Sequence, residues 1–277
     1  MNQGYPTKIH QEPDLHQSSL VLGWREDGGS LGRRVTDYLN LKLKGQEFAE
    51  IEPEDFFLMG GVAIKDNIAG FPESKFYACP EHELVILQTD SPLAEWYKFL
   101  NCVLDLVEHH CRIKELYVLG AMISFGAHTT PRQLLGVVNS AGMKEMLSHY
   151  DLNRDMDYQT QPGERPTLNS FLLWLARERN IPGVSVWVPI PFYLAAMEDP
   201  QAQRRVLSFL NERLGLRIDF SDLDQAIRKQ NELLARARSR FPQIDGYINR
   251  LEGNLMLSEE ENGELIKKIE DFLKEGD

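Results

Sequence analysis

Cysteine is scarce in this sequence, since the 277 residues include only Cys79, Cys102 and Cys111. Three thiols cannot all pair, and a chain of this length can bury a sufficient core without disulfide bonds. The scarcity favours a reducing compartment, and we therefore expect a cytoplasmic protein.

Long apolar runs are also lacking. The first twenty residues contain no basic segment followed by an apolar one, which a secretory signal peptide requires. Elsewhere, charge, glycine or proline interrupts each apolar run within about ten positions, whereas a membrane-spanning helix needs about 20 apolar residues. We expect neither export nor a membrane partner.

Positive charge is in short supply as well. The chain has 30 Lys and Arg residues against 42 Asp and Glu residues, which gives a net charge of −12 and a sequence pI near 5.1. A field of this sign repels nucleic acid and acidic lipid surfaces. The composition therefore predicts no nucleic-acid partner.

What the sequence does contain is an alternation of apolar strands and amphipathic helices through residues 19–218, after an irregular tail at residues 1–18. Strand patterns occur at 19–24, 83–89, 116–125, 134–139 and 184–188, with short strands or hairpin pieces in 47–80. Helical spacing follows Leu31, and recurs from Ser91 and Pro92 as cap and first position, at 143–150 and at 168–179. Strands that are apolar on both faces predict an α/β fold, a mostly parallel sheet with helices on both faces.

A helical extension is predicted for residues 219–277, with a break at Pro242 and a final short helix at 265–273. Apolar residues recur there three, four or seven positions apart, as helical packing requires. We call this row of apolar residues the C-terminal seam. It must pack on its own domain or on another chain, because isolated helices of this length are only marginally stable. The interaction candidates are Leu223, Ile227, Leu234, Phe241, Ile248, Leu251 and Leu255.

Candidate ligand residues follow the predicted strands, because ligands in open parallel sheets bind beyond the carboxyl ends of the strands. The candidates are Gly28, Gly29, Ser30, Gly32, Arg33, Asp90, His128 and Thr129. Glycine amides at a helix start can hold an anion. However, this loop lacks the spacing of nucleotide-binding motifs, and Glu26 and Asp27 would repel a phosphate. The pattern favours a structural turn over a ligand loop.

No catalytic constellation is evident. His128 could act as an acid or base, but no nucleophile can be assigned to it, and a hydrogen bond that orders the turn before Pro131 is the favoured interpretation. Ser124 lacks the glycine that a nucleophile elbow needs. The consecutive residues His109, His110 and Cys111 point about 100° apart on a helix and cannot readily chelate one ion. We predict no catalytic residue, no metal and no cofactor.

Several motifs together resemble the proteasome assembly chaperone 2 family over about residues 19–215. Their order and spacing carry the resemblance. They are the first strand with its glycine loop through Gly32, Pro53-Glu54-Asp55-Phe56, the strand 84–89 leading into Trp96, Leu119-Gly120-Ala121, His128-Thr129-Thr130-Pro131, Ile181-Pro182, and the run from Ser185 to Tyr193.

The resemblance implies a fold related to the nucleoside phosphorylase type, homo-oligomer formation, no established active site and, in some members, a chaperone role toward proteasome α-subunits. Those members often dock through a C-terminal tail with a penultimate tyrosine. This chain ends in Phe272-Leu273-Lys274-Glu275-Gly276-Asp277, which departs from that pattern and argues against tail-mediated docking. The first loop, with Glu26 and Asp27, and the segment 162–166 also depart from the family pattern.

The leading prediction is a chaperone-like, homo-oligomeric protein that binds unidentified protein partners. A scaffold subunit without a client fits the same features. The alternative from a different class is a small-molecule-binding protein or enzyme that uses the strand-end loops around Gly28–Gly32 and His128.

Overall fold

The computed structural model describes residues 6–57, 63–65, 67–153, 157, 159, 161 and 163–275. Parts of four segments discussed above lie outside these residues: the start of the tail, residues 58–62 and 66 of the hairpin region, the first residue of the segment 162–166, and the last two residues. In chain order the strands are β1 (Thr7–Ile9), β2 (Ser19–Trp24), β3 (Gln46–Ile51), β4 (Ala63–Lys65), β5 (Ile68–Gly70), β6 (Ser74–Cys79), β7 (Leu84–Thr89), β8 (Glu115–Ser124), β9 (Leu134–Val138), β10 (Leu152–Asn153) and β11 (Gly183–Pro191). The helices are α1 (Leu31–Leu43), α2 (Trp96–Cys111), α3 (Ala141–Met146), α4 (Leu168–Glu178), α5 (Pro200–Leu214), α6 (Ser221–Arg240), α7 (Pro242–Glu252) and α8 (Glu259–Glu275).

The main sheet has the strand order β1-β3-β6-β7-β2-β8-β11-β9-β10. Its centre, β7-β2-β8-β11, is parallel. The strands β1, β3 and β6 extend it antiparallel on one side, and β9 pairs antiparallel with β11 on the other. The predicted α/β class is confirmed, with antiparallel margins around the parallel centre.

Helices cover both faces of the sheet, and two hydrophobic cores result. In β2, Leu20 and Leu22 pack into the core under α2 and α4, whereas Val21 packs into the core under α1 and α5. This division follows from the period-two alternation of side chains along a strand. Every residue of β2 is buried, which explains its continuous apolar pattern.

The C-terminal helices α6, α7 and α8 bury their apolar seam in the core of the sheet domain itself. Leu223, Leu234, Ile248 and Leu251 are buried in the same cluster as strand residues of the sheet. Four of the seven interaction candidates are therefore unavailable to a partner, because packing on the chain's own domain occupies them. Ile227 and Phe241 are half-buried, and Leu255 is 59% exposed.

The break predicted at Pro242 is correct, since α6 ends at Arg240 and α7 begins at Pro242. The predicted start of α2 is wrong. The helix begins at Trp96 rather than at Pro92, because the backbone N–H groups of Leu93 and Ala94 donate to the carbonyl of Phe56 and hold this segment in a turn.

Three elements go beyond the sequence predictions, namely β1, the two-residue strand β10 and α5. Strand β1 pairs with β3 and so fixes part of the predicted tail to the edge of the sheet. Helix α5 was not predicted, although Asp199 caps it through the Ala202 N–H and Pro200 occupies its first position, as helix starts favour. No helix among the described residues is long and apolar enough to cross a lipid bilayer.

Candidate functional site

The carboxyl ends of β2, β8 and β11 lie side by side, because β8 pairs in parallel with both of the other strands. The segments that follow these strands therefore meet at one edge of the sheet. They are the glycine loop after β2, the segment 125–133 after β8, and the turn 192–199 after β11. Most of the predicted ligand residues lie in the first two of these segments.

The glycine loop packs closely against its own domain. A Cβ atom on Gly32 would lie 2.7 Å from the Cα of Gly23, so helix α1 can approach β2 only without a side chain there. Gly29 adopts a positive φ of 65°, which glycine tolerates, and its N–H donates to the carbonyl of Ala195 at 2.8 Å. These contacts favour the structural-turn interpretation of the loop.

An internal carboxylate occupies the position that an anionic ligand would take at the start of α1. The Asp27 carboxylate accepts a hydrogen bond from the Gly32 N–H at 3.0 Å. Burial raises the pKa of Asp27 to about 7, and hydrogen bonds from the N–H groups of Gly32 and Leu31 offset only part of that increase. The helix N-terminus is therefore satisfied by the chain itself.

His128 is buried and pairs with Tyr193 from the segment after β11. The Tyr193 hydroxyl accepts a hydrogen bond from the His128 backbone N–H at 2.7 Å and lies 2.8 Å from the ring Nδ1. Burial, together with the charges of Arg238 and Arg132, lowers the pKa of His128 to about 4. A neutral ring with Nδ1 as the acceptor fits both hydrogen bonds. The predicted ordering role of the ring involves this tyrosine rather than the loop itself.

The segment around His128 is anchored on both sides. Arg132 forms a buried ion pair with Asp199, with 2.9 Å between Nη2 and Oδ2. The Thr129 hydroxyl donates to Glu252 at the end of α7, at 2.9 Å. Helix α7 therefore lies over the segment that carries two of the predicted ligand residues.

The remaining ligand candidates form ion pairs of their own. Asp90 pairs with Arg25 at 2.9 Å, and Arg33 pairs with Asp37 at 2.8 Å. The glycine loop and His128 both contact the turn 192–195, through Gly29 and Tyr193, respectively. The structure thus brings the glycine loop and His128 to the same turn, whereas Asp90 and Arg33 each form an ion pair elsewhere.

The residues weighed as metal ligands do not converge. The His109 ring lies 2.6 Å from the carbonyl of Asp105 in its own helix, His110 pairs with Glu12, and Cys111 is buried. Burial raises the pKa of the Cys111 thiol to about 12, which makes it a poor ligand or nucleophile.

One group that sequence reasoning missed has the residue types of a metal site. Ligand atoms of His10, Glu47 and Glu50 lie within 4.8 Å of one another on β3 and just after β1. All three side chains are at least partly exposed, and Lys8 also pairs with Glu50 at 3.6 Å. The cluster is therefore accounted for as cross-strand ion pairing.

Comparisons with known proteins agree on one family. A model of the PAC2 family matches residues 20–238. No curated protein matches the sequence. Solved structures that match include PbaB of Pyrococcus furiosus, described as an archaeal proteasome activator, with 21% identity, a TM-score of 0.67 and coverage of 84% of this chain and 98% of that one.

Two further structures come from Mycobacterium tuberculosis. The proteasome-assembly chaperone homologue Rv2125 has 18% identity and a TM-score of 0.69 over 83% of this chain and 99% of its own. Rv2714, a protein of unknown function, has 17% identity and a TM-score of 0.76 over 92% of this chain and 90% of its own. At these identities the likeness establishes a shared fold.

Proposed function

Because the chain belongs to the PAC2 family, we propose that it is a chaperone-like protein that binds other proteins and further copies of itself. Two of the structural relatives are described as a proteasome activator and a proteasome-assembly chaperone homologue. These descriptions support a role in the assembly or activation of other proteins for this chain as well.

The observation that carries the proposal is a row of aromatic side chains on the outer surface of α2 and α4. This aromatic row consists of Tyr97, Phe171 and Trp174. The ring centroids of Tyr97 and Phe171 are 6.3 Å apart, and Phe171 stacks on Trp174 at 5.5 Å. Tyr97 is 60% exposed and Trp174 is 48% exposed. Exposed tryptophan and tyrosine side chains are typical anchors of protein interfaces.

Polar and charged residues border the aromatic row on the same two helices. Asn101, one turn after Tyr97, accepts a hydrogen bond from the guanidinium of Arg179. Arg179 also pairs with Asp105 and Glu108 of α2. An aromatic centre with a polar rim is the usual arrangement of a protein–protein contact.

A second exposed apolar surface lies at the end of β8. The last residue of β8 paired with β2 is Leu119, so the strand continues beyond its neighbour on that side. Met122, Ile123 and Phe125 are 36%, 48% and 57% exposed there. Exposed apolar side chains are often found at interaction sites, and we infer that this end of β8 adds contact area for a protein partner.

The proposal is tested by suppression of the aggregation of a heat-denatured client protein, followed by light scattering. We expect the wild type to suppress aggregation, and a Tyr97→Ala, Trp174→Ala double variant to do so at least several-fold less well. Leu41→Ala is the matched control, because Leu41 is a single apolar residue on α1 that is 75% exposed. A wild type without suppression, or a double variant that equals the control, would contradict the proposal.

A further inference from the structure

A cavity of about 680 Å³ opens near the start of α5 and is rich in arginine. We call it the basic cavity. Its lining includes Arg132, Gln133, Asp151, Gln201, Arg204 and Arg205. The volume lies within the range of about 300–1,000 Å³ that is typical of small-molecule sites.

The position of the basic cavity matches that of ligand sites in open sheets. Gln133 immediately precedes β9, which runs antiparallel to β11, so the start of β9 lies toward the carboxyl end of β11. Gln201 is the second residue of α5. The cavity therefore lies at the ligand-binding edge of the sheet, beside the start of a helix whose first turn is already capped by Asp199.

Three guanidinium groups are held in place around the cavity. Arg132 is fixed by its buried pair with Asp199. The Arg204 guanidinium lies 4.2 Å from the ring centroid of Phe220 and donates to Asp224. Groups fixed in this way lose little side-chain entropy when a ligand binds.

Arg205 holds a contact that a ligand can readily replace. Its Nε donates to the carbonyl of Arg132 at 3.1 Å, and its Nη2 donates to the carbonyl of Asp151 at 2.7 Å. The same Nη2 pairs with the Asp151 carboxylate, whose side chain is 83% exposed. An exposed ion pair of this kind contributes little to stability, whereas the two backbone contacts keep the guanidinium in position.

We propose that the basic cavity binds a small molecule through a phosphate group, which displaces the Asp151 carboxylate from Arg205. Asp199 and Asp224 neutralise Arg132 and Arg204, so the positive charge that a ligand can use is that of Arg205, whose partner Asp151 is exposed. A phosphate brings more negative charge than the carboxylate it replaces and offers several acceptor oxygens to guanidinium donors. Phosphate is therefore the anion that this arrangement favours.

The test measures binding of inorganic pyrophosphate to the full chain by isothermal titration calorimetry at constant ionic strength. We expect Arg205→Gln to weaken binding by about tenfold, which is the effect of losing a charge-assisted hydrogen bond. Asp151→Asn should tighten binding several-fold, because it removes the competing carboxylate. Arg236→Gln, an exposed position on α6 outside the cavity lining, is the control for charge and should leave affinity unchanged.

The Asp151→Asn variant keeps the test decisive even if Arg205→Gln perturbs folding, because the Asp151 side chain is exposed. Tighter binding on removal of Asp151 is not expected from a purely structural residue. Asp271→Asn, which makes the same change of charge at an exposed position on α8 outside the cavity lining, controls for diffuse attraction to the surface and should leave affinity unchanged. The proposal is overturned if the wild type does not bind, if Asp151→Asn fails to tighten binding, or if Arg236→Gln weakens binding as much as Arg205→Gln does.

Discussion

At the residue scale, Asp27 acts as an internal anion at the start of α1. Its carboxylate accepts the Gly32 N–H, yet burial raises its pKa from 3.8 to about 7. The folded protein therefore binds this proton more tightly than the unfolded chain does. The resulting stabilisation is complete below about pH 3.8 and is lost as the pH rises through about 7.

Replacement of Asp27 by asparagine should remove this pH dependence, because the amide is neutral and still offers an acceptor oxygen. We expect Asp27→Asn to have a free energy of unfolding roughly 1–3 kcal/mol above that of the wild type at pH 8, and a smaller advantage at pH 5. Urea denaturation at both pH values measures the difference. An advantage that does not grow between pH 5 and pH 8 would show that ionisation of Asp27 is not costly.

His128 responds to pH in the opposite sense. Its pKa is lowered from 6.5 to about 4, so the folded state prefers the neutral ring. That preference stabilises the protein fully above about pH 6.5 and is lost as the pH falls through about 4. Between these values the contributions of His128 and Asp27 oppose each other.

The contribution of His128 is best measured in the Asp27→Asn background. We expect this background to lose about 2 kcal/mol more of its unfolding free energy between pH 7 and pH 4 than the same protein with His128→Gln. Gln is neutral throughout this range, so it serves as the pH-insensitive reference. Equal losses in the two proteins would mean that the His128 ring titrates normally.

The sequence predicted part of this local chemistry. The acidic residues of the glycine loop indicated a structural turn, and the contacts of Asp27 and Gly29 favour that interpretation. The partner of His128 was missed, because Tyr193 is 65 residues away in the chain. Only the parallel pairing of β8 with β11 brings the ends of these strands together, and pairing between distant strands is not encoded in any local pattern.

At the element scale, α8 illustrates how the C-terminal seam is used. Its residues Leu265, Ile269 and Leu273 are buried in the core that also contains sheet residues. Periodicity predicted this apolar face, but it could not say whether the face covers its own domain or another chain, because both partners require the same pattern. Packing between elements decided the question.

Shortening one buried side chain of the seam should therefore lower the stability of the folded chain. Leu265 is fully buried, and we expect Leu265→Ala to lower the free energy of unfolding by about 3 kcal/mol through lost burial and a residual cavity. Leu255→Ala, at a position that is 59% exposed, should change it by less than about 0.5 kcal/mol. Urea denaturation of both variants provides the comparison, and equal effects would contradict the packing of α8 described above.

The error at α2 and the omission of α5 have different causes. Ser91 and Pro92 have the residue types of a helix start, but the Ser91 N–H donates to Glu26 from a distant loop. Tertiary contacts thus override the local preference there. For α5, Asp199 and Pro200 do begin the helix as such residues usually do, so the signal was present in the sequence.

At the scale of the whole molecule, the C-terminal helices α6, α7 and α8 share a hydrophobic core with the sheet. Helix α6 packs against α5, and α8 packs against the turn after β11. A chain truncated after Ile218 would expose the core surface that these helices cover. We expect the truncated chain to aggregate or to lack a cooperative unfolding transition, as measured by size-exclusion chromatography and thermal denaturation. A soluble, cooperatively folding product would contradict the sharing of one core between the C-terminal helices and the sheet.

The function proposed for this chain is binding of other proteins through the aromatic row, together with association into oligomers. Native mass spectrometry of the full chain, alone and with an unfolded client protein, tests it most directly. The account predicts masses at multiples of 31.8 kDa and client-bearing species that diminish in the Tyr97→Ala, Trp174→Ala variant but not in Leu41→Ala. A monomer that forms no client complex, or a complex indifferent to the aromatic substitutions, would contradict it.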